Sequence, residues 1–228
     1  MQRKSITTLL ISLLLVLFSG TQLRAQGNLP FTDEKPVHFG FSLGVNFMDF
    51  AVIPASKDYD VSVSNIIPGF SVGAISDLRL SRYLNLRFTP TLMLSQRMLD
   101  YPDSSGTDIL SVPLYLPIYL KYSSVRTGNF RPYLIAGGGL WIDWGRNKER
   151  TVLLKPFDAL IEAGAGCNIY FSFFKLAPEL KFSFGFNNML TPLDERDAGA
   201  LLNPQTIHHT ESLSKLTTRM ITLTFNFE

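Results

Sequence analysis

Alternation of apolar and polar residues over long runs constrains this chain more than any other feature. From His38 to Phe47, Phe39, Phe41, Leu43, Val45 and Phe47 hold one parity, and His38, Gly40, Ser42, Gly44 and Asn46 hold the other. A period of two puts the two sets on opposite faces of a β-strand. The pattern returns at Phe70–Leu80, Leu84–Arg97, Leu110–Tyr122, Pro132–Trp144, Phe157–Phe171, Leu176–Phe186 and Thr217–Phe227, which makes eight segments. Each is about 10 to 15 residues long, roughly twice an ordinary globular strand and enough for a tilted strand to cross a bilayer.

The polar parity carries Asp77, Arg79, Arg87, Lys121, Asp143, Glu162, Glu179 and Lys181, while the apolar parity is almost free of charge. This predicts an all-β fold: an eight-stranded antiparallel transmembrane β-barrel of the OmpA/OmpX type, lipid on its apolar face and a narrow charged lumen inside. Strands are expected near residues 38–49, 69–80, 84–97, 109–123, 131–144, 157–171, 175–187 and 217–227. Short links (Ser81–Tyr83, Ser124–Phe130, Ser172–Phe174) alternate with long ones (Met48–Pro68, Met98–Asp108, Gly145–Pro156, Asn187–Leu216). That order matches short periplasmic turns and long extracellular loops, and an even strand number brings both ends to the short side. Tyr83, Phe130, Tyr133, Phe171, Phe173 and Phe174 are expected in a lower aromatic girdle, and Phe50, Tyr101, Trp144 and Phe157 in an upper one.

Residues 1–25 read as a signal peptide, with basic Arg3 and Lys4, an apolar run from Ile6 to Phe18, and small Ser19, Gly20 and Ala25. Residues 26–228 then form the outer-membrane barrel domain. The alternative, an uncleaved anchor, meets an apolar run shorter than the roughly 20 residues of a spanning helix. Removing Arg3, Lys4 and Arg24 with the leader takes the basic count from 21 to 18 against 19 acids, a formal charge of −1. Nothing in that balance asks for a nucleic-acid partner. The single cysteine, Cys167, excludes an internal disulfide framework and a cysteine-based zinc site.

Eight strands enclose a lumen just wide enough for side chains to fill. Gly40, Gly44, Gly73, Gly137, Gly139, Gly164, Gly166 and Gly185 lie on the lumen parity and leave room for Arg, Lys and Tyr from opposite strands. The interior therefore reads as packed and ion-paired, not as a diffusion pore. The candidate site is a structural charge network of Asp77, Arg79, Arg87, Lys121, Glu162, Glu179 and Lys181, with a proton or ligand relay as the alternative. No catalytic residue, cofactor, metal or small-molecule substrate is expected. Gly137–Gly139 and Gly164–Gly166 imitate phosphate loops but open no helix. His208 and His209, beside Thr210, Glu211 and Ser212, offer the residue types of a hydrolase or metal site, but in one long loop where nothing fixes their geometry. A solvated loop is the better account. The same region holds Leu193, Leu201, Leu202, Ile207 and Leu213, which suit either a partner contact or a lid folded over the barrel mouth.

The segments His38–Phe50 (HFGFSLGVNFMDF), Pro68–Leu94, Asn129–Gly139 (NFRPYLIAGGG), Leu154–Gly185 and Met220–Glu228 (MITLTFNFE) resemble the PorT (also called SprT) proteins of Bacteroidota. The resemblance implies an outer-membrane barrel serving type IX secretion, which exports cargo bearing a C-terminal signal. It implies other secretion components and outer-membrane lipid as partners, and carries over no catalytic residue. A generic structural or adhesin-like barrel and a lipid A-modifying enzyme are the alternatives. A lumen filled with side chains cannot pass a folded protein, so a secretion role would be that of an accessory, assembly or gating subunit.

Overall fold

The structure is a computed structural model that describes residues 28–29, 31–54, 62–66, 68–100, 106–143, 153–191 and 213–228. A 3-10 turn at Thr32–Glu34 precedes eleven strands: β1 (Val37–Pro54), β2 (Ser62–Ile66), β3 (Pro68–Arg79), β4 (Leu84–Phe88), β5 (Thr91–Asp100), β6 (Gly106–Ser111), β7 (Pro113–Ser123), β8 (Phe130–Asp143), β9 (Phe157–Tyr170), β10 (Lys175–Gly185) and β11 (Leu213–Phe227). All described pairings are antiparallel. β1 pairs with β3 on one side and with β11 on the other, so the sheet closes on itself. The wall has eight staves: β1, β3, β4 continued by β5, β7, β8, β9, β10 and β11. β2 and β6 pair with β5 and prolong the sheet on the long-loop side.

Closure is forced by the solvent, because an unpaired strand edge in hydrocarbon leaves peptide groups without partners. The alternation then sorts the side chains inside out. Phe39, Leu134 and Ile118 face outward at 74%, 61% and 54% exposure, while Asn46, Asp77 and Arg87 are at most 1% exposed on the inner face.

The third sequence segment is split. Expected as one strand over 84–97, it is interrupted at Thr89 and Pro90 between β4 and β5, because proline has no N–H to give the ladder. Register is nevertheless kept. Ala74 N donates to Pro90 O (3.0 Å), Thr89 N donates to Pro117 O (3.3 Å), and Thr89 and Thr91 both stay buried. Val112, directly before Pro113, likewise separates β6 from β7 within the expected 109–123 strand. β11 starts at Leu213, four residues before the expected Thr217, so Leu213 belongs to a strand end paired with Pro54.

Aromatic rings line the short-turn end of the outer wall. Phe41 stacks on Phe227 and Phe171 on Phe174, each with centroids 4.9 Å apart, and Phe174 lies 6.2 Å from Phe227. Tyr133 is a correction to the expected girdle: it shares the parity of Arg131 and Ile135, points into the lumen and is 3% exposed. Phe157 is exposed near the opposite rim, whereas Tyr101, Trp144 and the side chain of Phe50 lie outside the described residues, as do residues 1–25.

The feet of two long loops fold onto each other. Lys155 N donates to Met189 O (2.7 Å), Thr191 N to Leu153 O (3.0 Å) and Met189 N to Leu216 O (2.8 Å), burying Leu153, Leu154, Met189 and Leu190. The remainder of the second loop, including Leu193, Leu201, Leu202, Ile207, His208 and His209, lies outside the described residues.

A closed sheet without a free edge resists detergent, so the folded protein is expected to migrate differently on a gel before and after boiling. Identical mobility, together with recovery in the soluble fraction after osmotic shock, would contradict membrane insertion.

Candidate functional site

The lumen is built in layers. Towards the long-loop side, Met48, Met93, Tyr115, Trp141, Leu160 and Met220 form a buried apolar cluster. Below it, every stave projects polar side chains inward, β1 contributing only the uncharged Ser42 and Asn46 among its described buried residues.

Arg87 on β4 is the hub. Its Nε and Nη2 donate to Asp77 Oδ2 at 3.0 and 2.9 Å, its Nη1 to Glu179 Oε2 at 3.3 Å and its Nη2 to Glu228 Oε1 at 2.6 Å. Asn85 Nδ2 donates to the other Asp77 oxygen at 2.5 Å. Lys121 on β7 donates to Asp77 Oδ2 and Asn168 Oδ1, each at 3.4 Å, and its ammonium sits 4.3 Å from the centre of the Tyr133 ring. Lys175 pairs with Glu228 Oε2 at 2.6 Å.

A second branch runs through β10 and β9. Tyr133 Oη donates to Glu179 Oε2 (2.7 Å) and Lys181 pairs with Glu179 Oε1 (3.5 Å). Lys181 Nζ also donates to Tyr119 Oη (3.3 Å), and both Tyr119 Oη and Ser183 Oγ donate to Glu162. Within this network the charges balance, with Asp77, Glu162, Glu179 and Glu228 against Arg87, Lys121, Lys175 and Lys181, no side chain among them more than 9% exposed. Pairing offsets the desolvation that an isolated charge would suffer at this depth.

Glycine makes the close packing sterically feasible. A Cβ on Gly166 would lie 2.5 Å from the Tyr133 ring carbon and hydroxyl, so a side chain there would displace the tyrosine that holds Glu179.

Of the seven residues expected in the network, the structure brings together Asp77, Arg87, Lys121, Glu162, Glu179 and Lys181. Arg79 is not among them. β3 ends at Arg79, and its guanidinium turns to the rim, donating to Glu34 O at 2.9 Å and Ser81 O at 3.4 Å. Sequence reading missed Lys175 and Glu228, which continue the inward parity of β10 and β11 past the charged or polar residues already visible, Glu179 and Asn226. Following the parity back to the first residue of β10 and one step past the end of β11 finds both. It also left Trp141 and Tyr115 unassigned, although both hold inward positions.

This architecture defines a membrane barrel with a plugged, ion-paired interior. The family described as "Outer membrane protein beta-barrel domain" matches residues 24–191, and the chain belongs to it. It is accordingly an outer-membrane protein. No curated protein matches the chain.

Glu179→Ala strips Arg87 and Lys181 of a carboxylate, and Glu162→Ala strips the hydroxyls of Tyr119 and Ser183 of their acceptor. Removing one member of a dry ion pair costs about 3–5 kcal/mol, so Glu179→Ala should unfold at markedly lower temperature in detergent. Arg79→Ala, at the rim, should change stability by less than about 1 kcal/mol. Equal melting of Glu179→Ala and the parent protein would mean that the lumen is hydrated.

Proposed function

We propose that the protein is an accessory or assembly component of a type IX secretion system in the outer membrane of a Bacteroidota species, needed for export of proteins that carry a C-terminal secretion signal. The observation that carries this reading is the filled lumen: Arg87, Asp77, Glu179 and Glu228 meet across it with side chains 1–2% exposed. A barrel so closed offers cargo no path of its own. It acts through its loops, its periplasmic rim and its lipid-facing wall, in contact with outer-membrane lipid and with other secretion components. The resemblance of most of the mature chain to PorT proteins supplies the secretion context. The proposal assigns no catalytic step.

Two measurements test it together. In planar bilayers the purified barrel should show no steady conductance, and a strain lacking the gene should lose extracellular cargo proteases while a plasmid copy restores them. Undiminished protease export in the deletion strain would overturn the secretion reading in favour of a structural or adhesin-like barrel.

The loop from Leu193 to Leu213 should be the export-specific surface. Its replacement by a short Gly/Ser linker should leave the barrel level normal and lower protease export. Normal level with normal export would exclude partner contact through that loop.

A further inference from the structure

The short-turn face carries a second charged feature that the lumen network does not use. The segment before β1 crosses this rim as a strap and is tied on several sides. Tyr170 Oη donates to Asp33 Oδ1 at 2.6 Å, Arg131 Nη1 pairs with the same oxygen at 3.2 Å, and His38 Nε2 donates to Thr32 O at 2.7 Å. Between the strap and the turns that join β3 to β4 and β7 to β8 is an open cup of about 470 Å3. Four guanidinium groups line it, those of Arg79, Arg82, Arg126 and Arg131, against the two carboxylates of Asp33 and Glu34. The lining therefore carries a formal excess of two positive charges.

The partners of these arginines leave that excess in place. Among the described residues, Arg131 alone of the four pairs with a carboxylate, Asp33. Arg126 is held by the main-chain carbonyls of Asn28, Leu29 and Gly128 and stacks 3.7 Å from the centre of the Tyr170 ring. Arg79 is held by the carbonyls of Glu34 and Ser81. The Arg82 guanidinium makes no hydrogen bond among the described residues and rests 5.6 Å from the centre of the Tyr83 ring. Neutral carbonyls orient a guanidinium without cancelling its charge, so the cup is a preorganised cation cluster with one fork still unengaged.

We propose that this cup binds an acidic peptide segment of a periplasmic partner protein, engaged by Arg79 and Arg82 against a fixed positive wall of Arg126 and Arg131. Its volume lies in the range of sites that enclose a small ligand or a few residues of peptide. Arginine clusters of this kind recognise carboxylates by paired N–H donors. Two of its four arginines stand on the inner side of the wall: Arg79 and Arg131 continue the lumen parity of β3 and β8, and Arg131 is 8% exposed. A phospholipid headgroup would have to leave its leaflet to engage those two together with Arg82 and Arg126, which favours a water-borne peptide. The inference deepens the accessory reading above and rests on it for its biological use, but the binding itself is measurable apart from that reading.

The test uses the folded full-length barrel in detergent and fluorescein-labelled hexa-aspartate, followed by anisotropy. The parent protein should bind hexa-aspartate and not hexaserine, more weakly as salt rises. Arg82→Gln should weaken binding about tenfold, the effect of losing one charge-assisted hydrogen-bonded contact. Arg79→Gln combined with it should weaken binding further, and Lys35→Gln, outside the cup, should leave it unchanged. Because Arg82 supports no other group through its guanidinium, that single variant stays informative if the double variant misfolds, which unboiled gel mobility reports. Absence of hexa-aspartate binding, or equal binding by Arg82→Gln, overturns the proposal. So does Arg82-dependent retention of phosphatidylglycerol in native mass spectra without peptide binding. A sealed barrel that ignores the peptide would sink this inference alone, and a conducting barrel that binds it would sink the accessory reading alone.

Discussion

The backbone's need for hydrogen-bond partners in hydrocarbon is the constraint on which the rest of this structure depends. Water is absent along the wall, so every peptide group must find another strand, and only a closed sheet leaves none over. The seam that closes it runs from Phe41 opposite Phe227 to Ile53 opposite Lys215. Once the sheet is closed, successive residues must alternate between lipid and lumen, and eight staves leave an interior of side-chain dimensions. The distribution of charge follows from that geometry. It has nowhere to go but inward or to the two rims.

Within the network centred on Arg87 four acids meet four bases, and the pairing braces the wall. Arg87 ties β4 to β3, β10 and the residue after β11, and Lys175 links β10 to that same residue. The apolar cluster of Met48, Met93, Tyr115, Trp141, Leu160 and Met220 adds a second closure on the long-loop side. Rigidity and sealing come from the same contacts. Such a lumen stabilises the barrel while removing it as a route for cargo, and recognition is left to surfaces at the ends. The rim arginines fit that division: Arg79 is oriented by the strap and the turn, Arg82 rests beside the Tyr83 ring, and both lie beyond the paired interior.

Much of the fold was legible because membrane strands leave a local signature. The parity that carried Phe39 to Phe47 outward also placed Asp77, Arg87, Lys121, Glu162, Glu179 and Lys181 inward, where the structure has them. Failures occurred where a local rule met an end or an interruption. Pro90 broke a hydrogen-bond ladder without shifting its parity, so a single expected strand became two. Nearness to a turn suggests a girdle position for Tyr133, but its parity points inward and the structure buries it. Arg79 obeyed the parity but lay where the wall ends, and it turned to the strap.

What the sequence by itself determined is which face each strand residue occupies, because a period of two is a property of the extended backbone and needs no knowledge of neighbours. What only the tertiary structure decided is which inward residues meet. Arg87 and Glu228 are 141 residues apart and touch because closure and stagger bring β4 and the end of β11 to the same height in the lumen. The strap across the short-turn rim and the cation cluster beneath it are of the same kind: they join Asn28 and Asp33 to Arg126, Arg131 and Tyr170. Contacts of that span depend on strand stagger and on how loops settle across the rim, and neither leaves a periodic trace along the chain.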